Sequence, residues 1–218
     1  VDPLLELACG TGDMMLILSQ MGMQVRGIDI SRGMLEQAAL KLGKKEFSPK
    51  LYCQDMTRFQ IPEKFALIFS FNDSINYLYN EELIFSCFKR VYQHLEEGGG
   101  FLFDVTTEYN LEKNFLSQDY IKSYPDYDFV WKNSYDPRTR VALADLYFLY
   151  KDGKIYHEQH IQKVYTLDTV YKALKQAGFD KIAIYDAFTF SAPNSYSVGY
   201  HFMALRNPAE QEKKCPSF

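Results

Sequence analysis

The sequence predicts an α/β domain on a doubly wound parallel sheet, with a small antiparallel β insertion, and three observations carry that prediction. Short apolar runs that read as strands alternate with segments whose apolar residues recur at helical spacing. The first run, LLELA, ends in the turn Cys9-Gly10-Thr11-Gly12-Asp13, and the second, VRGID, ends in Asp29, seventeen residues past Gly12. Glycines at 10 and 12 let the backbone turn tightly and approach a ligand with no Cβ in the way. A carboxylate at Asp29 can accept hydrogen bonds from both hydroxyls of a ribose. The two features point to a pocket for an adenosine-bearing cofactor.

The elements follow in order. After the turn, Met14, Ile17, Leu18 and Met21 recur on one helical face, and Gly22 stands at the position that ends such a helix. VRGID is the second strand. Ser31 can cap a helix whose buried stripe is Leu35, Ala38, Ala39 and Leu42, closed by Gly43. KLYCQD gives a third strand ending at Asp55, and KFALIFSF a fourth, buried on both faces and followed by Asn72-Asp73-Ser74. Asn80 with Glu81 and Glu82 makes a favourable helix start, and Ile84, Cys87, Phe88, Val91 and Leu95 carry its stripe. Gly98-Gly99-Gly100 follows a helix rather than a strand, so it reads as a helix-to-strand turn and not as a phosphate loop. FLFDV is the fifth strand.

From about Tyr127 to Tyr165 the period changes to two: residues 127–135, 140–150 and 155–165 alternate, with Asp152-Gly153 as a hairpin signal. A three-stranded antiparallel layer is expected there, an inserted cap over residues 123–165 of a single domain spanning 1–218. Thr166 or Asp168 then caps a helix carrying Leu167, Val170, Tyr171 and Leu174 and ended by Gly178, and KIAIYDAF and VGYHFMALR close the chain as two more strands.

The run ELACGTGDM resembles motif I of the class I S-adenosylmethionine-dependent methyltransferases. Met15 stands where a dinucleotide fingerprint would place its third glycine, which weakens a nicotinamide reading. The resemblance implies a Rossmann-like seven-stranded sheet of order 3-2-1-4-5-7-6 with the last strand antiparallel, and S-adenosyl-L-methionine as cofactor. It implies that Glu6 and the glycine turn, with Ala8 at its first small-residue position and Gly10 and Gly12 after it, hold the methionine part. Asp29 would bind the ribose, Ile30 would neighbour the adenine, and Asp55 and Met56 would accept from the adenine amine and pack on its ring. Phe71 and Asn72, opening the stretch to Ser74, would border the sulfonium. FNDSINYLYN, followed by the insertion, resembles a narrower set, the small-molecule methyltransferases that include sugar-amine N-methyltransferases. Members of the family usually carry one or two helices before motif I, and these are expected ahead of Val1.

Bulk properties narrow the partners. A net charge of −4 and a pI near 5.6 give no cationic field to collect phosphate backbones, so nucleic acid is a poor partner. Cys9, Cys53, Cys87 and Cys215 are scattered, with no metal-ligand spacing, which suggests reduced thiols in the cytoplasm. No apolar run is long enough to span a bilayer. Aromatics make up 16% of the chain, with 17 Phe and 17 Tyr, which either fill a small core, the role of most of them, or line a pocket.

Methyl transfer from a sulfonium needs in-line placement, desolvation and a deprotonated acceptor, and positioning alone can supply several kcal/mol. For an amine or hydroxyl acceptor a base is useful, and Asp73, Tyr77 and His160 are the candidates, each with an alternative role in capping or packing. Trp131, Tyr147 and Tyr156 are candidates, with His160, to line the insertion. No metal site is expected: His157 and His160 are three apart on a strand and point to opposite faces. His94 and His201 read as structural. Two other classes share parts of the pattern: an NAD-dependent oxidoreductase, and a non-catalytic cofactor-binding protein that uses its aromatic cap to hold a partner.

Overall fold

A computed structural model of the chain describes residues 3–116 and 119–208. Its main sheet has seven strands: β1 (Leu4–Leu7), β2 (Val25–Asp29), β3 (Lys50–Cys53), β4 (Phe65–Ser70), β5 (Leu95–Thr106), and, later in the chain, β10 (Lys181–Asp186) and β11 (Gly199–Leu205). Their order is β10-β11-β5-β4-β1-β2-β3. The first five pair in parallel, and β11 runs antiparallel to both neighbours, as the resemblance implied. Helices α1 (Asp13–Gln20), α2 (Arg32–Gly43), α3 (Glu81–His94) and α5 (Leu167–Ala177) flank it. Among the described residues, no helix is long and apolar enough to cross a membrane.

The cap residues behave as their chemistry dictates. Ser31, Asn80 and Thr166 each accept a backbone N–H three residues on, so Thr166 rather than Asp168 starts α5. Helix α3 buries the expected Ile84, Cys87, Phe88 and Val91. Ring against ring, Phe88, Phe101, Phe103 and Phe202 then fill the core, with Phe103 and Phe202 stacked at 4.9 Å.

Two helical faces differ from the sequence expectation. Helix α1 is entered through the left-handed Gly12, and this turns Met15 inward while Ile17 and Met21 stay 52% and 65% exposed. The space for Met15 comes from Gly27: a Cβ there would lie 2.6 Å from Met15 Sδ and 2.7 Å from Cys9 Sγ. In α2 the buried stripe is Leu35, Ala38 and Leu42, with Ala39 exposed. On α5, Tyr171 faces out and Ala173 and Ala177 complete the buried face instead. The Gly98–Gly100 run lies inside β5, where the pairing register with β4 shifts, rather than in a separate turn. Gly99 sits so close to its neighbours that a Cβ would come within 2.9 Å of the Glu96 carbonyl oxygen.

The second sheet has four antiparallel strands, one more than the alternation predicted: β6 (Tyr120–Ser123), β7 (Tyr127–Asp136), β8 (Val141–Tyr150) and β9 (Ile155–Lys163). Strand β6 is short and exposed, so its residues carry no inside-outside alternation to read. Gly153 sits at φ 88 in the β8–β9 link. Between β5 and β6 a short helix α4 (Glu108–Asn110), capped by Thr107, runs into a π-helical turn over Leu111–Phe115.

The second sheet is stitched to the first through the 3-10 turn Ser74–Tyr77. Asn76 is fully buried there; its Nδ2 donates to the Lys163 carbonyl at 2.8 Å, and its Oδ1 accepts the Thr106 N–H at 3.0 Å. Tyr165 adds a donated hydrogen bond to the Leu78 carbonyl.

Candidate active site

The carboxyl ends of β1 to β5 carry the site, as the strand-order reversal between β1 and β4 requires. In the first turn Ala8, Gly10 and Gly12 all have positive φ, at 54°, 51° and 75°. Two glycines meet this at no steric cost, whereas Ala8 holds a left-handed conformation worth about 1 kcal/mol of strain. Nothing lies within 4 Å of where a Gly10 Cβ would be, so the turn faces open space. Gly12 packs instead on α2, its missing Cβ 3.1 Å from Ala38 Cβ. Asp29 holds the turn: its two carboxylate oxygens accept the Gly10 and Ser31 N–H groups, each at 2.8 Å.

Ala8, Asp29, Ile30, Asp55 and Met56 line one cavity of about 300 Å³, with Tyr77 on its far wall. Asp55 Oδ1 accepts from the Thr57 N–H and hydroxyl at 2.8 Å, which fixes the carboxylate at the cavity edge. Five residues expected near the cofactor do not line this cavity, Gly10 among them, its turn facing open space. Gly12 faces α2, Phe71 packs beside Phe69 at 5.6 Å, Asn72 lies in the bend after β4, and Glu6 is buried beneath the glycine turn.

Glu6 is the electrostatic anomaly of the turn. Its Oε2 has no hydrogen-bond partner among the described residues. Burial raises the carboxyl to about 8, against a hydrogen bond with the Met15 backbone that pulls it down, and Asp13 and Asp29 push it further up. The folded protein therefore keeps this proton between its ordinary 4.5 and about 8, where the unfolded chain has lost it. Stability consequently falls as pH rises through that window. The melting temperature should drop between about pH 4.5 and about pH 8, and Glu6→Gln, which keeps the shape without the charge, should flatten that part of the profile. A slope unchanged in the variant would remove Glu6 as its source.

A second cavity, of about 290 Å³, lies under the four-stranded sheet and gathers Asp73, Tyr77, His160 and Trp131 with Leu111 and Phe115. The Tyr77 hydroxyl and His160 Nδ1 are 2.8 Å apart, and Tyr77 borders both cavities. Asn72 and Asp73 take consecutive left-handed conformations, φ 60 and 57, unusual for two non-glycine residues. Asp104 on β5 holds them, accepting the Asn72 N–H on Oδ2 at 3.0 Å and the Asp73 N–H on Oδ1 at 2.9 Å. Burial, and then the Asp104 charge, raise Asp73 to about 6. Asp104 escaped sequence reading, although an acid closing FLFDV at a strand's carboxyl end was the available signal. Leu111 and Phe115 escaped it too; Thr107 as a cap with apolar residues at 111, 115 and 116 was their signal.

Strand register decides which cap aromatics reach the cavity. Trp131 and His160 share its face. Tyr147 pairs with His157 and stacks on it at 4.5 Å on the opposite face, so it does not line the cavity. Tyr156 lies on the cavity side of the sheet but at its far end, 57% exposed and edge-on to Tyr150. His157 takes Asp145 as its partner at 2.7 Å, apart from His160.

Comparison with known proteins agrees with this geometry. A family model described as a methyltransferase domain matches residues 4–99. The chain is 30% identical to "Putative methyltransferase GWCH70_2453" of Geobacillus sp. (strain WCH70), over 93% of its own length and 84% of that protein's. Its structure is similar to that of an S-adenosylmethionine-dependent methyltransferase from Clostridium acetobutylicum ATCC 824, with a TM-score of 0.84 and 27% identity over 94% of this chain and 84% of the other. The sugar N-methyltransferase KedS8 from Streptoalloteichus sp. ATCC 53650 shares the fold at a TM-score of 0.75 and 19% identity, over 94% and 80% of the two chains. With a methyltransferase relative 30% identical over 93% of its length, the chain belongs to the S-adenosylmethionine-dependent methyltransferases.

Proposed function

We propose that this chain moves the methyl group of S-adenosylmethionine to an amine or hydroxyl of a small molecule held beneath the antiparallel sheet, in the cytoplasm. The observation that carries the reading is the pair of cavities meeting at Tyr77, one walled by Asp29, Asp55 and Met56, the other by Asp73, Tyr77 and His160. Residues 123–165, extended by β6, serve as an inserted cap over the acceptor.

The residues present fit the cofactor. Asp29 keeps lone pairs for two ribose hydroxyls beyond the N–H groups it already accepts. Met56 and Ile30 offer apolar faces to an adenine, and Asp55 an acceptor for its amine. The open space above Gly10 leaves room for an amino-acid end, and the unpartnered Glu6 Oε2 offers an acceptor to its ammonium, whose charge would favour loss of the Glu6 proton. Phe71 and Asn72 follow the end of β4, next to Asp73, and would border the sulfonium from there. When bound, S-adenosylmethionine supplies an electrophilic methyl group. The chain's own part is to hold the acceptor in line, exclude water and take a proton. Asp73 is suited to that last task, with Tyr77 and His160 orienting the acceptor. Their hydrogen bond leaves the remaining hydroxyl valence of Tyr77 for the ligand, while His160 Nε2 lies 3.8 Å from Glu158 Oε2.

S-adenosylhomocysteine should raise the melting temperature, as any ligand selective for the folded state does, while NAD at equal concentration should not. Stabilisation by NAD alone would favour the oxidoreductase reading. Cofactor binding with no transfer to any amine, sugar or phenol screened would favour a non-catalytic binding protein.

A further inference from the structure

The acceptor cavity does not end at Trp131. A further cavity of about 400 Å³ continues from it, and the two share Phe115, Trp131 and Asn133. Its walls are aromatic. Phe129 lies 6.5 Å from Trp131, ring centre to ring centre, and Tyr120 lies 6.2 Å from Phe129. The polar edge of Trp131 is already spent, because Nε1 donates to Asn133 Oδ1 at 2.7 Å, so the indole offers its apolar face. Among the described residues, neither chamber is lined by Lys or Arg. The carboxylates are Asp73 in the inner chamber and Asp119 at the outer rim, the latter 4.0 Å from Lys132.

A phosphate in such a space would face carboxylates without a guanidinium or ammonium on the walls to offset its charge. A flat apolar ring would exchange water for the four aromatic surfaces of Phe115, Tyr120, Phe129 and Trp131. We infer that the outer chamber is a subsite for a ring-bearing, non-phosphorylated extension of the acceptor, whose reacting group sits in the inner chamber. This rests on the reading of the inner chamber as the acceptor site. The acceptor is then an elongated, neutral or cationic amphiphile, polar at the end that reaches Asp73 and apolar at the end that reaches Phe129.

The chain's single tryptophan stands at the junction of the chambers, so its emission reports on both. The full chain with S-adenosylhomocysteine is titrated with phenylbutylamine, n-butylamine and phenylbutyl phosphate. Phenylbutylamine is expected to change Trp131 emission saturably and to bind at least about tenfold more tightly than either of the others, the increment that burying one phenyl ring provides. Tyr120→Ala, at an exposed position, and Phe129→Ala should each reduce that preference, and the first leaves the fold intact if the second does not. Equal affinity of the two amines, tighter binding of the phosphate, or no response to any of them overturns the inference. The thermal shift with S-adenosylhomocysteine, read on the same samples, separates these outcomes from failure of the functional reading: a shift retained without ring preference discards only the subsite.

Discussion

Asp29→Ala is expected to remove most of the thermal shift produced by S-adenosylhomocysteine and to weaken its binding by about a hundredfold or more. Both carboxylate oxygens are engaged with backbone, to Gly10 and to Ser31, so the side chain has one orientation before any ligand arrives. A ribose would meet an acceptor already placed, with little ordering left to do. The substitution removes the charged acceptor for two hydroxyls and also releases the Gly10 amide from the turn. Hydrogen bonds to charged groups contribute about 1.5–3 kcal/mol each, so losing the ribose pair alone accounts for the expected change. Calorimetric titration of the folded variant measures it. Affinity within a few-fold of the parent would show that Asp29 is a brace for the turn and no more.

Asp73→Asn should lower turnover about a hundredfold, the lower range for loss of a positioned base. The amide keeps the shape, and the backbone N–H of residue 73 still reaches Asp104, so the loop after β4 stays in place. The pH profile gives the sharper readout. A base must be unprotonated to accept, so the parent's rate should climb through about pH 6 and level off above it, and the variant should lack that limb. Stability runs the other way. With its carboxyl raised from 3.8 to about 6, the folded parent loses stability as pH rises across that interval, so the neutral variant should be at least as stable near pH 7. A rising limb that survives in the variant would move the base elsewhere, with His160 next to be replaced.

The parallel half of the fold was legible because each strand ends in a residue with a reason to be there: Gly10, Asp29, Asp55, Asn72. Long helices with strong caps were legible for the same cause, as Asn80 and its buried stripe show. Legibility failed where one element borrows space from another. Met15 turns inward because Gly27, on a neighbouring strand, vacates the volume, and no helical period encodes that. Strand alternation announced the cap but not which aromatics look inward, since Tyr147 and Trp131 differ only through the β7–β8 register. Asp73, Tyr77 and His160 were named separately, and only the seating of β9 on the 3-10 turn puts them in one cavity. Asp104 stayed hidden because its role is to hold backbone N–H groups some thirty residues away.

The buried amide of Asn76 has a consequence in time as well as in space. Its bond to Lys163 closes a loop of 87 residues, and Tyr165 closes one of equal span onto Leu78. On a ribosome adding about 5–20 residues per second, Lys163 follows Asn76 by about 4 to 17 seconds. Through that interval the glycine turn, Asp29 and Asp55 are already made, whereas the segment bearing Asp73 and Tyr77 has no cap strand to close against. The residues that would hold the nucleoside are thus made well before the strands that shape the acceptor side, and Tyr77 and Leu78, which wall the cofactor cavity too, gain their partners His160 and Tyr165 only at the end of that interval.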